Sequence, residues 1–303
     1  MPTPFSEDGE LDEHSLRSVV EYFLECQVDG LFALGVASES YFLSDDERRR
    51  VVEVTVGQVA GRVPVLAGAG HPGTHVVVHQ CRQYARLGVA AVVVLPPYVT
   101  RPDAAGILRH YATVAESTDV PVVLQDEPAS TGVTMPAALI ARIAREVENV
   151  RYAKVEGQPV TYKLTEVKEL VGEEIGLFTA GSAFFDQELS RGVVGIMTGL
   201  VFAGMLVDIW RAFSAGDIKG AWRLWHRYLP VVTLESHPAL LLSVRKELLC
   251  MLGVIRTATV RPPALRADAQ TVRHLEGLLD VLELRGGYQP SRQAGSPTTA
   301  GSG

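Results

Sequence analysis

The chain has 303 residues, 47% of them hydrophobic and 21% charged, with a formal net charge of −7. Beyond the short run Arg48-Arg49-Arg50, read as a solvated helix face, no block of Lys or Arg interrupts this mild acidity, which argues against a nucleic-acid or anionic-membrane surface, where a clustered positive field is expected. No run approaches the roughly 18 apolar residues of a membrane span, and the start Met1-Pro2-Thr3-Pro4-Phe5 lacks the basic and apolar stretches of a signal peptide.

Cys26, Cys81 and Cys250 stand far apart without metal or redox spacing, and read as buried thiols of a cytoplasmic protein. The first periodic segment carries Leu16, Val19, Val20, Phe23 and Leu24 on one helical face and stops before Gly30. From there short apolar runs alternate with helical segments: Gly30 to Leu34, Val63 to Ala67, Ala90 to Leu95, Val120 to Leu124, Val150 to Val155, Ile175 to Thr179 and Val194 to Thr198. The runs begin roughly 20 to 30 residues apart, the length of a βα unit. Because they are apolar throughout, both faces of each strand should be covered, as in a parallel sheet flanked by helices. Ser44-Asp45-Asp46-Glu47 reads as a capping box, and Pro102, Pro136 and Pro159 stand where helices can start.

From about Ala203 the pattern turns to long helical segments rich in Leu, Trp and Arg, in which Trp210, Trp222 and Trp225 read as packing residues. The organisation expected is a barrel over 1–205, a helical region over 206–285 and a disordered, Gly/Ser/Thr/Pro-rich tail over 286–303. Seven runs are visible where a closed (β/α)8 barrel needs eight, so either residues 1–5 are the remnant of a short or truncated first strand or the sheet is open and doubly wound. No G-x-G-x-x-G follows a strand and no P-loop occurs, so nucleotide binding has little support.

Reactive groups of parallel barrels gather at the C-terminal strand ends. There Lys154 stands out, a long cation inside Val150-Arg151-Tyr152-Ala153-Lys154-Val155. Desolvation disfavours the ammonium form and frees the amine to attack a carbonyl and form a Schiff base. The structural alternative is a lysine that reaches solvent or pairs with Glu156. Asp126, Glu127 and Glu156, also near strand ends, are candidate acids or bases, Asp126 first among them. His71, His75 and His79 share a helical spacing but lack a further ligand, so no metal is expected.

The order of Thr3-Pro4-Phe5, Gly35-Val36-Ala37-Ser38-Glu39, Gln125-Asp126-Glu127-Pro128 through Thr131-Gly132, Lys154, and Arg261-Pro262-Pro263 resembles the dihydrodipicolinate synthase/N-acetylneuraminate lyase family of class I aldolases and dehydratases, from Pro2 to about Leu284. The resemblance implies an α/β fold, a (β/α)8 TIM barrel with a C-terminal helical extension, in dimers or tetramers. It implies a 2-keto acid bound as an imine on Lys154, without metal or organic cofactor.

The departures bear on the reaction. Val36 and Ala37 replace the hydroxyl residues of the family's G-T/S-T-G-E loop, leaving Ser38 and the loop amides to hold a carboxylate. Gln125 replaces the tyrosine of the Y-N-x-P motif and can position a substrate hydroxyl but not move protons. Val99 falls where a neighbouring subunit's tyrosine is expected, and Ser130 where the synthase has its second-substrate arginine. Gly181, Ser182 and Met197 complete the expected substrate contacts, and Glu39 is expected to tie its loop to the next helix. The reading is a Schiff-base lyase on a pyruvate- or sugar-derived 2-keto acid, not dihydrodipicolinate synthase proper. The alternative is a weakly active or inactive member that binds a keto acid as a sensor or partner subunit.

Overall fold

The computed structural model describes residues 1–181 and 184–291. Seven strands, β1 (Leu31–Ala33), β2 (Val65–Ala69), β3 (Ala91–Val94), β4 (Val122–Asp126), β5 (Val150–Val155), β6 (Gly176–Thr179) and β7 (Gly195–Ile196), form one parallel sheet in sequential order. Each falls on one of the expected apolar runs. The helices α1 (Glu13–Glu25), α2 (Asp45–Val59), α3 (Thr74–Arg86), α4 (Ala104–Ala115), α5 (Pro128–Thr131), α6 (Ala137–Glu146), α7 (Val160–Val171) and α8 (Phe185–Glu188) lie before and between the strands, α5 and α6 both following β4. After β7 the described residues form helices, α9 (Ala203–Ser214), α10 (Ile218–Glu235), α11 (Leu241–Met251) and α12 (Ala269–Val281). This is the (β/α) barrel architecture, with the strands curled and the helices outside. No helix among the described residues is long and apolar enough to cross a membrane.

Local chemistry sets the helix starts. Ser44 accepts from the Glu47 amide at 3.2 Å while Glu47 accepts from the Ser44 amide at 2.8 Å, the expected capping box of α2. α6 and α7 begin directly after Pro136 and Pro159, whereas α4 starts two residues beyond Pro102, capped by Asp103. His71 lies ahead of α3, so the three spaced histidines do not share one helix face.

The curl creates two apolar layers. A large core fills the space between sheet and helices, with Trp225 fully buried in it. On the inner face Ala91, Val93, Val123 and Met197 pack with Phe32, Leu66 and Phe178. Cys26 and Cys81 are buried as free thiols, while Cys250 is only half-buried.

One irregularity matters above it. Val122 pairs with Val150 but Val123 pairs with Tyr152, so Arg151 is an extra residue in β5. Beyond this bulge Gln125 stands opposite Lys154, and Asp126 opposite Val155.

Residues 1–5 do not form an eighth strand of the sheet. The Met1 amino group donates to Phe32 O at 2.9 Å, Thr3 Oγ1 donates to Ser38 O at 2.7 Å, and Phe5 bridges Leu11 in antiparallel fashion. At the other end, residues 286–291 depart from the disorder expected of them. Asp208 of α9 accepts from the Tyr288 hydroxyl at 2.8 Å and from the amide and hydroxyl of Ser291 at 2.8 and 3.0 Å. Positions 292–303 of the expected tail lie outside the described residues.

Candidate active site

Lys154 rises from the C-terminal half of β5 on the inner face, only 6% exposed. Its Nζ lies 5.8 Å from the centroid of the Phe32 ring and 3.0 Å from Glu156 Oε1. The same carboxylate oxygen accepts from Gln125 Nε2 at 2.8 Å. The structure thus brings Lys154, Gln125 and Glu156 into one cluster, with Glu156 as the bridge. Of the two structural alternatives for Lys154, pairing with Glu156 is found and exposure to solvent is not.

Asp126 does not join them, contrary to the expectation that it stands beside the lysine as acid or base. Side chains alternate along a strand, so the residue after an inward Gln125 faces outward. There Asp126, with 0% exposure, meets Lys163 of α7 at 2.6 Å and accepts from the Gly157 amide at 3.1 Å. A Cβ on Gly157 would lie 2.4 Å from Lys163 Nζ and 2.6 Å from Asp126 Oδ2, so only glycine leaves room for this pair. Burial raises the Asp126 carboxyl, with Lys163 opposing. Glu127 caps α5, accepting from the Ser130 amide at 3.0 Å and from the Ser130 hydroxyl. Burial raises its carboxyl too, with a further push from Glu156.

The turn after β1 is a single helical turn over Val36–Ser38 that ends in a left-handed Glu39 (φ 55°). Ser38 does not offer its hydroxyl to a ligand as expected. That group donates to Met1 O at 2.5 Å and accepts from the Gly35 amide at 3.1 Å. The turn's own bonds also take the amides of Ser38 and Glu39, leaving those of Val36 and Ala37 unused within it. Glu39 is fully buried against Lys246 of α11 and accepts from the Arg261 amide at 3.2 Å. Lys246 donates to Thr259 O at 2.8 Å and sits 4.1 Å from the Phe5 ring centroid. Burial holds Lys246 down at about 8, with Glu39 opposing. Arg261 braces the far side, bonded to Gly9 O, Phe42 O and the Glu47 carboxylate. Glu39 therefore anchors its turn, through α11 and the segment around Arg261 rather than through the helix that follows.

A cavity of about 310 Å³ opens over the ends of β1 to β4, lined in part by Val36, Tyr41, Arg48, Tyr98, Gln125 and Ser130. Tyr41 and Tyr98 are pocket residues the sequence reading did not assign; their phenols are raised chiefly by burial. A tyrosine beside a predicted strand end, such as Tyr98 after Pro96-Pro97, was the available signal. Val99 is 75% exposed. Met197 belongs to the inner apolar layer beneath the cluster, and Gly181, with φ +69°, turns the chain past Ile196. Neither lines this cavity. Ser182 lies outside the described residues. Among the described residues no group of three or more His, Cys, Asp or Glu gathers as a metal site.

A model of the dihydrodipicolinate synthetase family matches residues 1–281. The chain belongs to this family. It is 33% identical over 293 residues to the L-2-keto-3-deoxyarabonate dehydratase of Azospirillum brasilense, covering 94% of each chain. It is 29% identical to the 4-hydroxy-tetrahydrodipicolinate synthase of Trichlorobacter lovleyi, covering 93% of this chain and 96% of that one. A prophage protein of E. coli K12 from the dihydrodipicolinic acid synthase family, solved in complex with pyruvate, superposes with a TM-score of 0.86 at 25% identity over 93% of this chain and 96% of that one. Membership makes the chain a lyase of the dihydrodipicolinate synthetase family.

Proposed function

We propose that the chain forms an imine between Lys154 and a 2-keto acid, and that it cleaves or dehydrates a sugar-derived keto acid rather than making dihydrodipicolinate. The observation that carries this reading is the buried Lys154 amine on the inner face, in one hydrogen-bonded cluster with Glu156 and Gln125. Attack of the neutral amine on the keto carbon and loss of water give the imine, which draws electrons from the neighbouring carbon–hydrogen and carbon–carbon bonds. Proton loss from that carbon followed by expulsion of a hydroxyl one carbon further along is dehydration; rupture of the next carbon–carbon bond is retro-aldol cleavage.

Either course needs a proton carrier within reach of the imine. Gln125 cannot serve, and Asp126 is committed to Lys163. Glu156 stands 3.0 Å from the amine and is the carrier we assign. Gln125, which donates to Glu156 and also lines the cavity, orients that carboxylate. The dehydratase among the relatives supports a sugar-derived substrate. Ser130, on the cavity wall where the synthase's second-substrate arginine is expected, gives its hydrogen bonds to Glu127 and offers no cation, which argues against dihydrodipicolinate formation.

The test is borohydride reduction in the presence of pyruvate or longer 2-keto acids, followed by intact mass and peptide mapping. A reduced adduct on Lys154, absent in Lys154→Ala, is the expected result. No adduct across a panel of keto acids would leave the chain a non-catalytic binder.

A further inference from the structure

Arg245 and Lys246 are neighbours on α11, and both are buried, Arg245 to 8% exposure. Their surroundings differ. Lys246 is consumed by Glu39, Thr259 O and the Phe5 ring. Among the described residues the Arg245 guanidinium makes no hydrogen bond, and its Nε is buried without a partner. Glu235 is the nearest carboxylate, with Oε2 3.9 Å from Nε, close enough to attract but too far to bond. That oxygen instead accepts from the Val201 amide at 2.6 Å. A guanidinium carries five donors in a rigid fork; here the Nε donor is buried and unmet, which is costly, while the two Nη groups make no protein hydrogen bond and are left for water or a ligand.

The guanidinium is aimed at the site. A Cβ on Gly199 would lie 2.6 Å from both Arg245 Nη1 and Ala37 Cβ, so the missing side chain lets the cation slide past the end of β7 to the turn after β1. Val36 and Ala37 offer no side-chain donor there, and the turn leaves their two amides unspent. Arg245 also acts electrostatically on Glu156, the partner of Lys154, and the nearby Met1 amino group is depressed chiefly by its burial, with Arg245 and then Lys154 adding to it. The donor fork and the Lys154 amine thus share two neighbours, the Met1 amino group and the Glu156 carboxylate, which suits a ligand whose carboxylate adjoins its carbonyl carbon.

We propose that Arg245 is the carboxylate-binding residue of this site, holding the acid group of a 2-keto acid while its carbonyl carbon faces Lys154. The assignment rests on the reading of Lys154 above. It makes the helical region after the barrel a direct source of substrate selectivity, favouring keto acids over ketones and keto esters that lack the charge.

The probes are pyruvate and methyl pyruvate, used on the wild type, Arg245→Gln and Gly199→Ala, with circular dichroism and melting temperature as folding checks. Half-saturation of borohydride trapping and the calorimetric Kd for pyruvate are both read. Arg245→Gln should raise both for pyruvate about tenfold to a hundredfold, and leave trapping by methyl pyruvate within about twofold. Gly199→Ala keeps the cation but displaces it, and should weaken pyruvate in the same direction. Adding Arg245→Gln to Lys154→Ala should weaken calorimetric binding equally, since no imine is involved. Should Glu235 left alone unfold Arg245→Gln, Glu235→Gln/Arg245→Gln replaces it. Unchanged pyruvate half-saturation in both folded variants, or an equal loss for the methyl ester, overturns the proposal. Binding that depends on Arg245 in a wild type that traps no adduct sinks the imine reading and keeps this one. A wild type that neither traps nor binds pyruvate overturns both.

Discussion

Glu235 gives the sharpest test of the electrostatics around the barrel mouth. It is 1% exposed at the end of α10, and burial pushes its carboxyl up from 4.5 to about 7 against the pull of Arg245 and the Val201 amide. Below pH 4.5 the carboxyl is protonated in both the folded and unfolded chains and contributes no difference. Between 4.5 and about 7 the unfolded chain releases the proton while the folded one keeps it, so stability falls as pH rises. At 1.36 kcal/mol per pH unit the loss amounts to about 3 kcal/mol, complete once the pH passes the folded value. Glu235→Gln keeps the shape and removes the titration. Urea unfolding of both proteins from pH 4.5 to 8 should show the wild type losing about 3 kcal/mol relative to the variant across that window. Parallel curves would refute the reasoning and mean that Arg245, at 3.9 Å, already holds Glu235 ionised.

Further outcomes follow from the same geometry. Glu156→Gln keeps a hydrogen-bonding partner for Lys154 but no proton carrier, so the trapped adduct should persist while turnover falls about 10²- to 10⁴-fold; an unaltered rate in a coupled assay would acquit Glu156. Asp126→Ala strands the buried Lys163 and should cost about 3–5 kcal/mol in urea unfolding, whereas Asp126→Ala/Lys163→Met should recover more than half of it. Equal losses in the single and double variants would show that the pair is not coupled. Burial pushes the Cys81 thiol up to about 12 and raises Cys26 as well, so iodoacetamide at pH 8 should leave both unlabelled in the native protein and react first at the half-buried Cys250. Labelling of Cys81 at the rate of a free thiol would mean the core opens.

The strands were legible because a strand covered on both faces leaves an unbroken apolar run. Lys154 was legible for the converse reason, a cation where such a run has no use for one. Asp126 was misread because adjacency in sequence is opposition on a strand: the step from Gln125 to Asp126 crosses the sheet from Glu156 to Lys163. Ser38 was misread because its hydroxyl is consumed by Met1 O, a contact that no local pattern announces. Arg245 lay hidden inside a helical stretch of leucines. Its direction depends on Gly199, a glycine whose importance appears only when a missing Cβ is placed against Ala37.

The bulge at Arg151 carries a consequence for how such sheets change over time. It absorbs a surplus residue below the site, so that Lys154 still faces Gln125 above it. Deletion of Arg151 would straighten the ladder beneath and leave that pairing in place. An insertion between Ala153 and Lys154 has no such slack, and would swing the amine to the helix side. Length variation among related chains is thus expected to collect at the amino end of this strand, while its carboxyl end stays constant in length even as the side chains around it diverge.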